Sequence, residues 1–454
     1  MGIKLDWEIE AEQSVVQGGG EDLESRRQRR LAQLRLLLGI FILIGLFGAV
    51  YGFFVWRLNV VDREIERALV DTVQAEVATL RVSDRNAFLN IQRSASESWA
   101  QEQIAEFDEY QALKVDYDVQ LTGNVIRVEV DGSRGRVQVE EIIDGIPYVQ
   151  TWFYWRYADD GWRHVPPDYT FWGEQQTIDR GTVIIRYDDV DRPLAERMAD
   201  ELSRWVAFAC GPLNCDGLPP LAVAIVPVQG GELKWSETNS CLLEVPSPFV
   251  GRARYDRPFD SALQQAVADA IAVRLVEQSA GAVQPIPATE AAFARDALEA
   301  WLIGGFTSID TRSYFMSSYV TRYGEEALGS AVQSLDTSAS LQNFASAAGV
   351  ASIAQLEVDW RDYLMWRLNL EEELRRQGNE ALFVSLYDTR DPLVTDLAFS
   401  RFQQPVLDVT YDVASVQLDT GVDGLPILRA LARGGEAEQI VEYRLVDSTW
   451  KRIN

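Results

Sequence analysis

The chain contains a single histidine, His164, and this count limits the catalytic chemistry that the sequence supports. A Ser-His-Asp hydrolase would have to use it, and no G-x-S-x-G nucleophile elbow occurs. It lies in W-R-H-V-P-P, where we expect a strand-edge or surface residue. A glycosidase-type carboxylate pair remains an alternative, because there are 69 Asp and Glu residues, but none is singled out by spacing. P-loop and G-x-G-x-x-G motifs do not occur, and no cofactor is predicted.

Three cysteines occur, and two of them are close in sequence. Cys210 and Cys215 flank G-P-L-N, and outside the cytosol this pair would close a small disulfide loop. The alternative is two unpaired thiols near a turn. With Cys241 as the third, the spacing excludes a cysteine-rich zinc knuckle.

A 21-residue run from Leu36 to Trp56 contains no charged side chain, and fourteen of its residues are Leu, Ile, Phe or Val. At about 1.5 Å per residue, a helix of this length crosses roughly 30 Å of hydrocarbon. The bulky end of the run does not suit signal-peptide cleavage. The run therefore predicts a transmembrane helix over 36–56 with the lipid bilayer as its partner; a buried core helix is the alternative.

Arginines are concentrated before the apolar run, which predicts a cytoplasmic N-terminus and a bulk that lies outside the cell membrane. We expect residues 1–35 to form a disordered cytoplasmic tail. Gly48 and Gly52 form a G-x-x-x-G motif, a weak indication of helix pairing. The arginines of the tail near the run are Arg26, Arg27, Arg29, Arg30 and Arg35.

The net charge is −27, and almost all of it lies beyond the tail, since residues 1–35 carry six Lys or Arg and seven Asp or Glu. Such a surface repels phosphate backbones, and the sequence has no basic stripe. Nucleic acid is therefore excluded as a partner. The length of 454 residues predicts two to four domains, and the change from helical to strand patterns described below predicts an α+β fold class.

The first region outside the membrane, 60–175, changes from a helical to a strand period. Apolar residues recur at three- and four-residue steps up to Leu80, and Ser83-Asp84 resembles a helix cap. From Val115 onward apolar residues alternate. Hairpin turns are predicted at Gly123-Asn124, Asp131-Gly132 and Asp144-Gly145.

The end of the chain, 379–454, repeats this unit in shortened form. The segment 155–165 matches 443–453 at an offset of 288, and three apolar positions of the helices match at an offset of 295. Both units resemble the nuclear-transport-factor-2-like fold, a cone of helices against a bent sheet. That fold hosts enzymes, binding modules and spacers, so the resemblance sets no function. The matched helical pairs are Phe88 and Phe383, Ile91 and Leu386, and Phe107 and Phe402.

Aromatic residues line the first predicted sheet. They either fill the core of a small sheet or form a small-molecule pocket, and the sequence leaves both readings open. The candidates are Trp152, Tyr154, Trp162, Phe171 and Trp172.

The middle region, 180–375, begins as mixed α/β and ends all-helical. A Tyr-rich segment, 314–328, ends in Y-G-x-E-x-L, and L-E-x-x-W follows at 356–360. With W-L-x-x-G at 301–305, this order resembles the peptidase-MA-like domains of the gluzincin metallopeptidases, relatives of thermolysin. The resemblance implies a helix with H-E-x-x-H near 263–271 and a glutamate in W-L-x-E-G.

The zinc-binding residues of that family are missing here. The histidine positions hold Gln265 and Asp269, the base position holds Ala266, and the third-ligand position holds Gly304. With one histidine in the chain, no other alignment recovers two. Weak calcium binding by Asp269 with Asp260 or Glu277 is an alternative.

The sequence therefore predicts a single-pass, extracytoplasmic pseudoenzyme that binds or scaffolds. The groove between the strand 242–246 and the helix 259–277 would take an extended peptide or an envelope protein as an added strand. The alternatives are a hydrolase with an unrecognised carboxylate site and a structural subunit of an envelope complex.

Overall fold

The computed structural model shows an α+β protein with several packed layers. It describes residues 23–94, 96–167, 172–213, 215, 218–228, 231–280, 288–335, 340–406, 408–435 and 437–454. Within these residues there are twelve helices and three sheets. The chain forms two compact units. The first comprises 1–108, 127–136 and 153–166, and the second comprises 109–126, 137–152 and 167–454.

Helix α1, Leu23–Val82, runs for 60 residues without a break. Its apolar stretch is exposed throughout, and by length and composition the helix is able to cross a membrane, as a membrane anchor or a signal sequence would. Its last turns are different, because Leu69, Val73 and Val77 are buried in the core of the first unit. The helix begins inside the segment predicted to be disordered, so that prediction is wrong for residues 23–35; residues 1–22 lie outside the described part of the chain.

Two helices and a meander follow α1. Asp84 caps α2 by accepting a hydrogen bond from the amide of Ala87, as the sequence predicts. The turns at 131–132 and 144–145 are confirmed, but Gly123 lies inside β1 with a φ of +74°, so the predicted turn there is wrong. Val115 belongs to α3 and not to a strand. The elements are α2 Arg85–Ile91, α3 Glu97–Asp116, β1 Val119–Asp131, β2 Arg134–Ile143, β3 Ile146–Tyr157 and β4 Gly161–His164.

The strands of this first sheet lie in the order β1-β2-β3-β10, and β4 also pairs with β3. Strand β10, Arg252–Arg254, comes from the middle region and pairs antiparallel with β3 at 148–150. The sequence did not predict β10, because three residues are too few to show a period.

The middle region contains a second sheet in the order β5-β6-β7-β9-β8. Strands β6, β7 and β9 are parallel, and helix α4 connects β6 to β7 as a crossover. This arrangement agrees with the mixed α/β start predicted for the region, and β5 and β8 are antiparallel additions at the two edges. The elements are β5 Gln175–Asp179, β6 Val183–Asp188, α4 Arg192–Leu213, β7 Leu221–Val226, β8 Lys234–Trp235 and β9 Leu242–Pro246.

A helical layer follows the second sheet, as predicted. Gly324, with a φ of +86°, ends the Tyr-rich helix α7 and separates it from α8. The helices are α5 Ser261–Ala280, α6 Glu290–Thr307, α7 Tyr314–Tyr323, α8 Glu325–Gln333 and α9 Gln342–Ala347.

The C-terminal elements repeat the order of the first meander, since the third sheet runs β11-β12-β13-β14. Helix α10 contributes residues to the core beneath this sheet and to a cluster with α11 and α12. The elements are α10 Arg361–Arg376, α11 Glu380–Ser385, α12 Pro392–Phe402, β11 Tyr411–Thr420, β12 Pro426–Gly434, β13 Ala437–Val446 and β14 Thr449–Arg452.

The internal match in sequence has a counterpart in geometry. Helices α2 and α11 begin 295 residues apart, and so do α3 and α12. The rings of Phe88 and Phe107 lie 5.4 Å apart, and those of Phe383 and Phe402 lie at the same distance. Strands β4 and β14 begin 288 residues apart and have equal length. The shared offsets give two segments with corresponding core positions.

The strand pairing corrects one detail of the sequence match. Tyr154 pairs with His164, and Tyr443 pairs with Arg452. Tyr443 therefore corresponds to Tyr154 and not to Trp155. The reason is that the turn between β13 and β14 is one residue shorter than the turn between β3 and β4.

His164 is buried and paired, so the expectation of a strand-edge or surface residue is wrong. Its Nδ1 donates to Glu76 Oε1 over 2.7 Å, and Tyr154 and Gln92 donate to the same carboxylate, each over 2.7 Å. Burial by itself would lower the pKa of His164, but the charge and hydrogen bond of Glu76, with a contribution from Glu106, raise that pKa above its usual value.

Helix α10, which precedes the predicted start of the second unit at residue 379, has a buried carboxylate at the corresponding place. Glu371, 295 residues after Glu76, forms an ion pair with buried Arg452, which takes the place of His164. Tyr387, in the place of Gln92, donates to Glu371 over 3.1 Å. The first segment therefore pairs Glu76 with His164, a side chain that titrates near neutral pH. The second pairs Glu371 with Arg452, a side chain that does not.

We predict that Glu76→Gln reverses the direction of the His164 shift. Without the carboxylate, burial dominates, and the pKa of the imidazole should fall below about 6.5. The single histidine makes the NMR titration of its ring protons unambiguous. In the unaltered chain the raised pKa implies stability that is complete below about pH 6.5 and is lost as the pH rises through the folded-state pKa.

The control is Glu106→Gln, which removes the smaller electrostatic contribution and should lower the pKa less than Glu76→Gln. An equal effect of both variants, or a pKa that stays raised in Glu76→Gln, would contradict the assignment of Glu76 as the partner of His164.

Candidate functional site

Two of the predicted former zinc-ligand positions lie side by side on α5. Gln265 Nε2 donates to Asp269 Oδ1 over 2.7 Å, one helical turn apart. Ala266, at the predicted base position, is exposed, as is Asp269. This part of the helix therefore presents a polar surface formed by an amide and a carboxylate. Neither side chain supplies the imidazole that the zinc site requires.

Helix α6 runs antiparallel to α5. Arg295, near the start of α6, donates a hydrogen bond to the carbonyl of Ala280 at the end of α5 over 2.9 Å. One turn further along α6, Glu299 is close enough to Glu277 for the charge of Glu277 to raise the pKa of Glu299. The same antiparallel register places Gly304 on α6 about one helical turn, measured along the helix axis, from Asp269 on α5, the second predicted ligand position. The predicted third-ligand position thus lies on the helix antiparallel to α5, about one turn from the level of Asp269.

A side chain at position 304 would meet the segment that follows α6. A Cβ there would lie 2.9 Å from Thr311 Oγ1 and 3.4 Å from the carbonyl of Ile309. Gly304 is therefore suited to a close approach of this segment, which leaves little space for a glutamate.

The alternative calcium ligands have other roles. Asp260 accepts a hydrogen bond from the amide of Leu263 at the start of α5, and Glu277 pairs with Arg274 over 3.1 Å. Across the described ranges, no group of three or more His, Cys, Asp or Glu side chains is arranged to hold a metal ion.

The predicted peptide groove does not have a free edge along its strand. Strand β9 lies between β7 and β8, and β8 pairs with it at Lys234–Glu244 and Trp235–Leu243. A peptide could add along this part of β9 only by displacing β8. The sequence did not predict β8, because it has only two residues.

A cavity of about 160 Å³ lies at the amino ends of the three parallel strands. Thr182, Leu221 and Cys241 line it from the ends of β6, β7 and β9, and α4 and α5 form two further sides. Ligands of open α/β sheets usually bind at the opposite, carboxyl edge. Much of the lining is apolar: Val206, Leu218, Leu221, Ile271 and Leu275.

Among the described residues that line the cavity, Arg274 is the one with a cationic side chain. Its guanidinium lies 4.7 Å from the ring centroid of Trp235, and one of its terminal nitrogens pairs with Glu277. Its Nε is buried and has no hydrogen-bond acceptor among the residues that the structure describes. Gln278, one turn further along α5, donates to Cys241 Sγ over 3.5 Å.

All three cysteines line this cavity. Cys210 and Cys215 are joined in a disulfide that ties the last turn of α4 to the segment after it, whereas Cys241 is a free thiol. The sequence showed the cysteine pair but not the cavity, because its lining comes from separate segments spread between residues 181 and 278.

The aromatic candidates of the first sheet lie mainly in the core. Trp152, Tyr154 and Trp162 are buried, and the Tyr154 hydroxyl donates to the buried carboxylate described above. Trp172 is partly buried against the core of the second unit. Phe171 lies outside the described residues. The described members thus support the core reading more than the pocket reading.

One half-buried carboxyl group on α6 has an unusual titration. Burial raises the pKa of Glu299 to about 7, and the charges of Asp296 and Glu277 add to the rise. Acids with such pKa values occur at catalytic sites and also in structural clusters.

Comparison with known proteins gives no relative from which a role could be transferred: no family model, curated protein or solved structure matches the chain.

We predict that the double variant Cys210→Ser/Cys215→Ser lowers the free energy of unfolding by about 2 kcal/mol, because the disulfide restricts the unfolded chain over a short loop. Chemical denaturation of the full chain in detergent, monitored by tryptophan fluorescence, measures the change. The matched control is Cys241→Ser, which breaks no covalent bond and should change stability by less than about 0.5 kcal/mol. Equal effects of the two would contradict a structural role for the disulfide.

Proposed function

We propose that the protein is a single-pass membrane protein with a cytoplasmic N-terminus, whose large outer part binds a ligand or partner without catalysis. The proposal rests on the observation that α1 combines an exposed apolar stretch with a buried end. One part of this helix has an apolar surface that no other part of the described chain covers, and its end lies in the core of a folded unit. A bilayer is the environment that such an exposed stretch suits.

Two features support placing the folded part outside the cytosol. The Cys210–Cys215 disulfide is typical of oxidising compartments. The arginines before the apolar stretch favour a cytoplasmic N-terminus. The strong negative charge of the remainder agrees with a soluble domain that favours cationic partners.

The non-catalytic part of the proposal is supported by residue chemistry at the gluzincin-like positions. Gln265, Ala266, Asp269 and Gly304 provide none of the imidazoles of the zinc site, and no glutamate stands at the base or third-ligand position. The gluzincin resemblance itself is a proposal, supported by the antiparallel α5 and α6 and by the Tyr-rich α7.

A hydrolase that uses carboxyl groups is the second candidate, and Glu299 is the observation that favours it. An acid with a pKa of about 7 is suited to proton transfer near neutral pH. A broad hydrolase screen separates the two functions. Activity that is lost in Glu299→Gln would favour the hydrolase, and absence of activity in the unaltered chain would favour the binding protein.

We predict the topology from two cysteines introduced in a Cys241→Ser background. Val422→Cys, on a fully exposed loop between β11 and β12, should react with a membrane-impermeant maleimide on intact cells. Ser14→Cys, in the N-terminal tail, should react only after the membrane is permeabilised.

The reverse labelling pattern would contradict the proposed orientation. Loss of the residue-14 thiol from the mature chain would show that the apolar helix is a cleaved signal sequence. Labelling of both sites before permeabilisation would show that the chain is not held in a membrane with the N-terminus inside.

A second prediction tests the gluzincin resemblance by restoring the missing side chains. The variant Gln265→His/Ala266→Glu/Asp269→His/Gly304→Glu should acquire one tightly bound zinc ion, since it regains two imidazoles and a carboxylate. Thr311→Ala is added to relieve the 2.9 Å approach at position 304. Metal analysis after dialysis measures the stoichiometry.

The control keeps Gly304 and restores only the α5 residues, and it should bind zinc at least about tenfold more weakly because one ligand is missing. Circular dichroism shows whether both variants are folded. Equal zinc binding by the two folded variants, or none by either, would contradict the gluzincin-like geometry.

A further inference from the structure

The cavity at the amino ends of β6, β7 and β9 has two chemically different parts. Leu218, Leu221, Ile271 and Leu275 give it apolar walls. Its volume of about 160 Å³ is close to that of cavities in other proteins that hold one benzene ring. The apolar part therefore fits a ligand with a single ring or a short alkyl chain.

The polar part is the Arg274 guanidinium, which is held in place from two sides. The ring of Trp235 covers one face, at 4.7 Å, and Glu277 binds one terminal nitrogen over 3.1 Å. These contacts fix the orientation of the planar group. The buried Nε has no acceptor within the described ranges, and the terminal nitrogen that does not bind Glu277 has none there either, so this terminal nitrogen is a free donor on a side chain that lines the cavity.

Charge selects the class of ligand. A guanidinium binds carboxylates through parallel N–H donors, and a charged acceptor forms hydrogen bonds about twice as strong as a neutral one. A cationic ligand would be repelled by Arg274. A neutral apolar ligand would pack against the apolar walls but would leave the free terminal nitrogen of Arg274 without an acceptor.

We propose that this cavity binds a small apolar carboxylic acid, with its ring or alkyl group against the apolar walls and its carboxylate on Arg274. The inference rests on the binding role proposed above, for which it supplies a ligand class. It does not depend on the membrane topology or on the gluzincin resemblance. The site lies between α4, α5 and the strand ends and is separate from the former zinc positions near the start of α5.

The probe pair is benzoate and benzamide, which have the same shape and differ in charge. The full chain in lipid nanodiscs is titrated with each compound, and ligand-observed NMR measures binding after subtraction of empty nanodiscs. We expect benzoate to bind with a Kd of roughly 0.1–1 mM, as is reasonable for so small a ligand. Benzamide should bind about tenfold more weakly.

The variant Arg274→Gln should weaken benzoate binding about tenfold and leave benzamide binding unchanged. The matched control is Arg322→Gln, which removes an exposed arginine that pairs with Glu357 away from the cavity. It should leave both affinities unchanged. Retention of the Cys210–Cys215 disulfide and of the unfolding midpoint shows that the variants are folded.

Equal affinity for the two probes, unchanged benzoate binding in Arg274→Gln, or no binding of benzoate would each overturn the proposal. Equal loss in both arginine variants would also overturn it, since the effect would then come from net charge. The topology experiment is read from thiol labelling alone, so failure of the ligand assignment and failure of the membrane assignment are distinguishable.

Discussion

The structure depends on one feature: α1 joins an exposed apolar segment and a buried end in a single continuous helix. Its hydrogen-bonded backbone is self-sufficient in a bilayer, where water is absent and unpaired amides are costly. The same helix supplies Leu69, Val73 and Glu76 to the core of the first unit. The 14 residues from Trp56 to Leu69 would span about 20 Å as a helix. The apolar segment and the buried end are therefore covalently and geometrically parts of one element.

The two repeated segments each bury a glutamate, and they pair it with different cationic side chains. Each places a glutamate on the inward face of its first helix, and each pairs it with a cation at the end of a short hairpin strand. A buried carboxylate is costly without partners, and removal of one partner of such a pair commonly costs 3–5 kcal/mol. His164 makes the first pair sensitive to pH, whereas Arg452 keeps the second charged. The pairing position is thus the same in both segments, and the cation differs.

Sequence reasoning predicted the elements that have a strong period or a clear signal. The apolar run, the Asp84 cap, the three parallel strands and the helical layer follow from local patterns. It missed β8 and β10, which are too short to show a period, and it misplaced His164, whose burial depends on Glu76 88 residues earlier. The residues at the positions that the gluzincin resemblance implies were readable, because the sequence itself gives their identity. The cavity was not, since folding alone brings its lining together.

The continuity of α1 can be measured directly by hydrogen exchange of the backbone amides between Trp56 and Leu69, in the full chain reconstituted in nanodiscs. We expect every amide of this segment to be protected from exchange, because an unbroken helix keeps each of them hydrogen-bonded. Exchange at the rate of an unstructured peptide anywhere in the segment would contradict it, since the membrane helix and the folded unit would then be joined by a flexible linker.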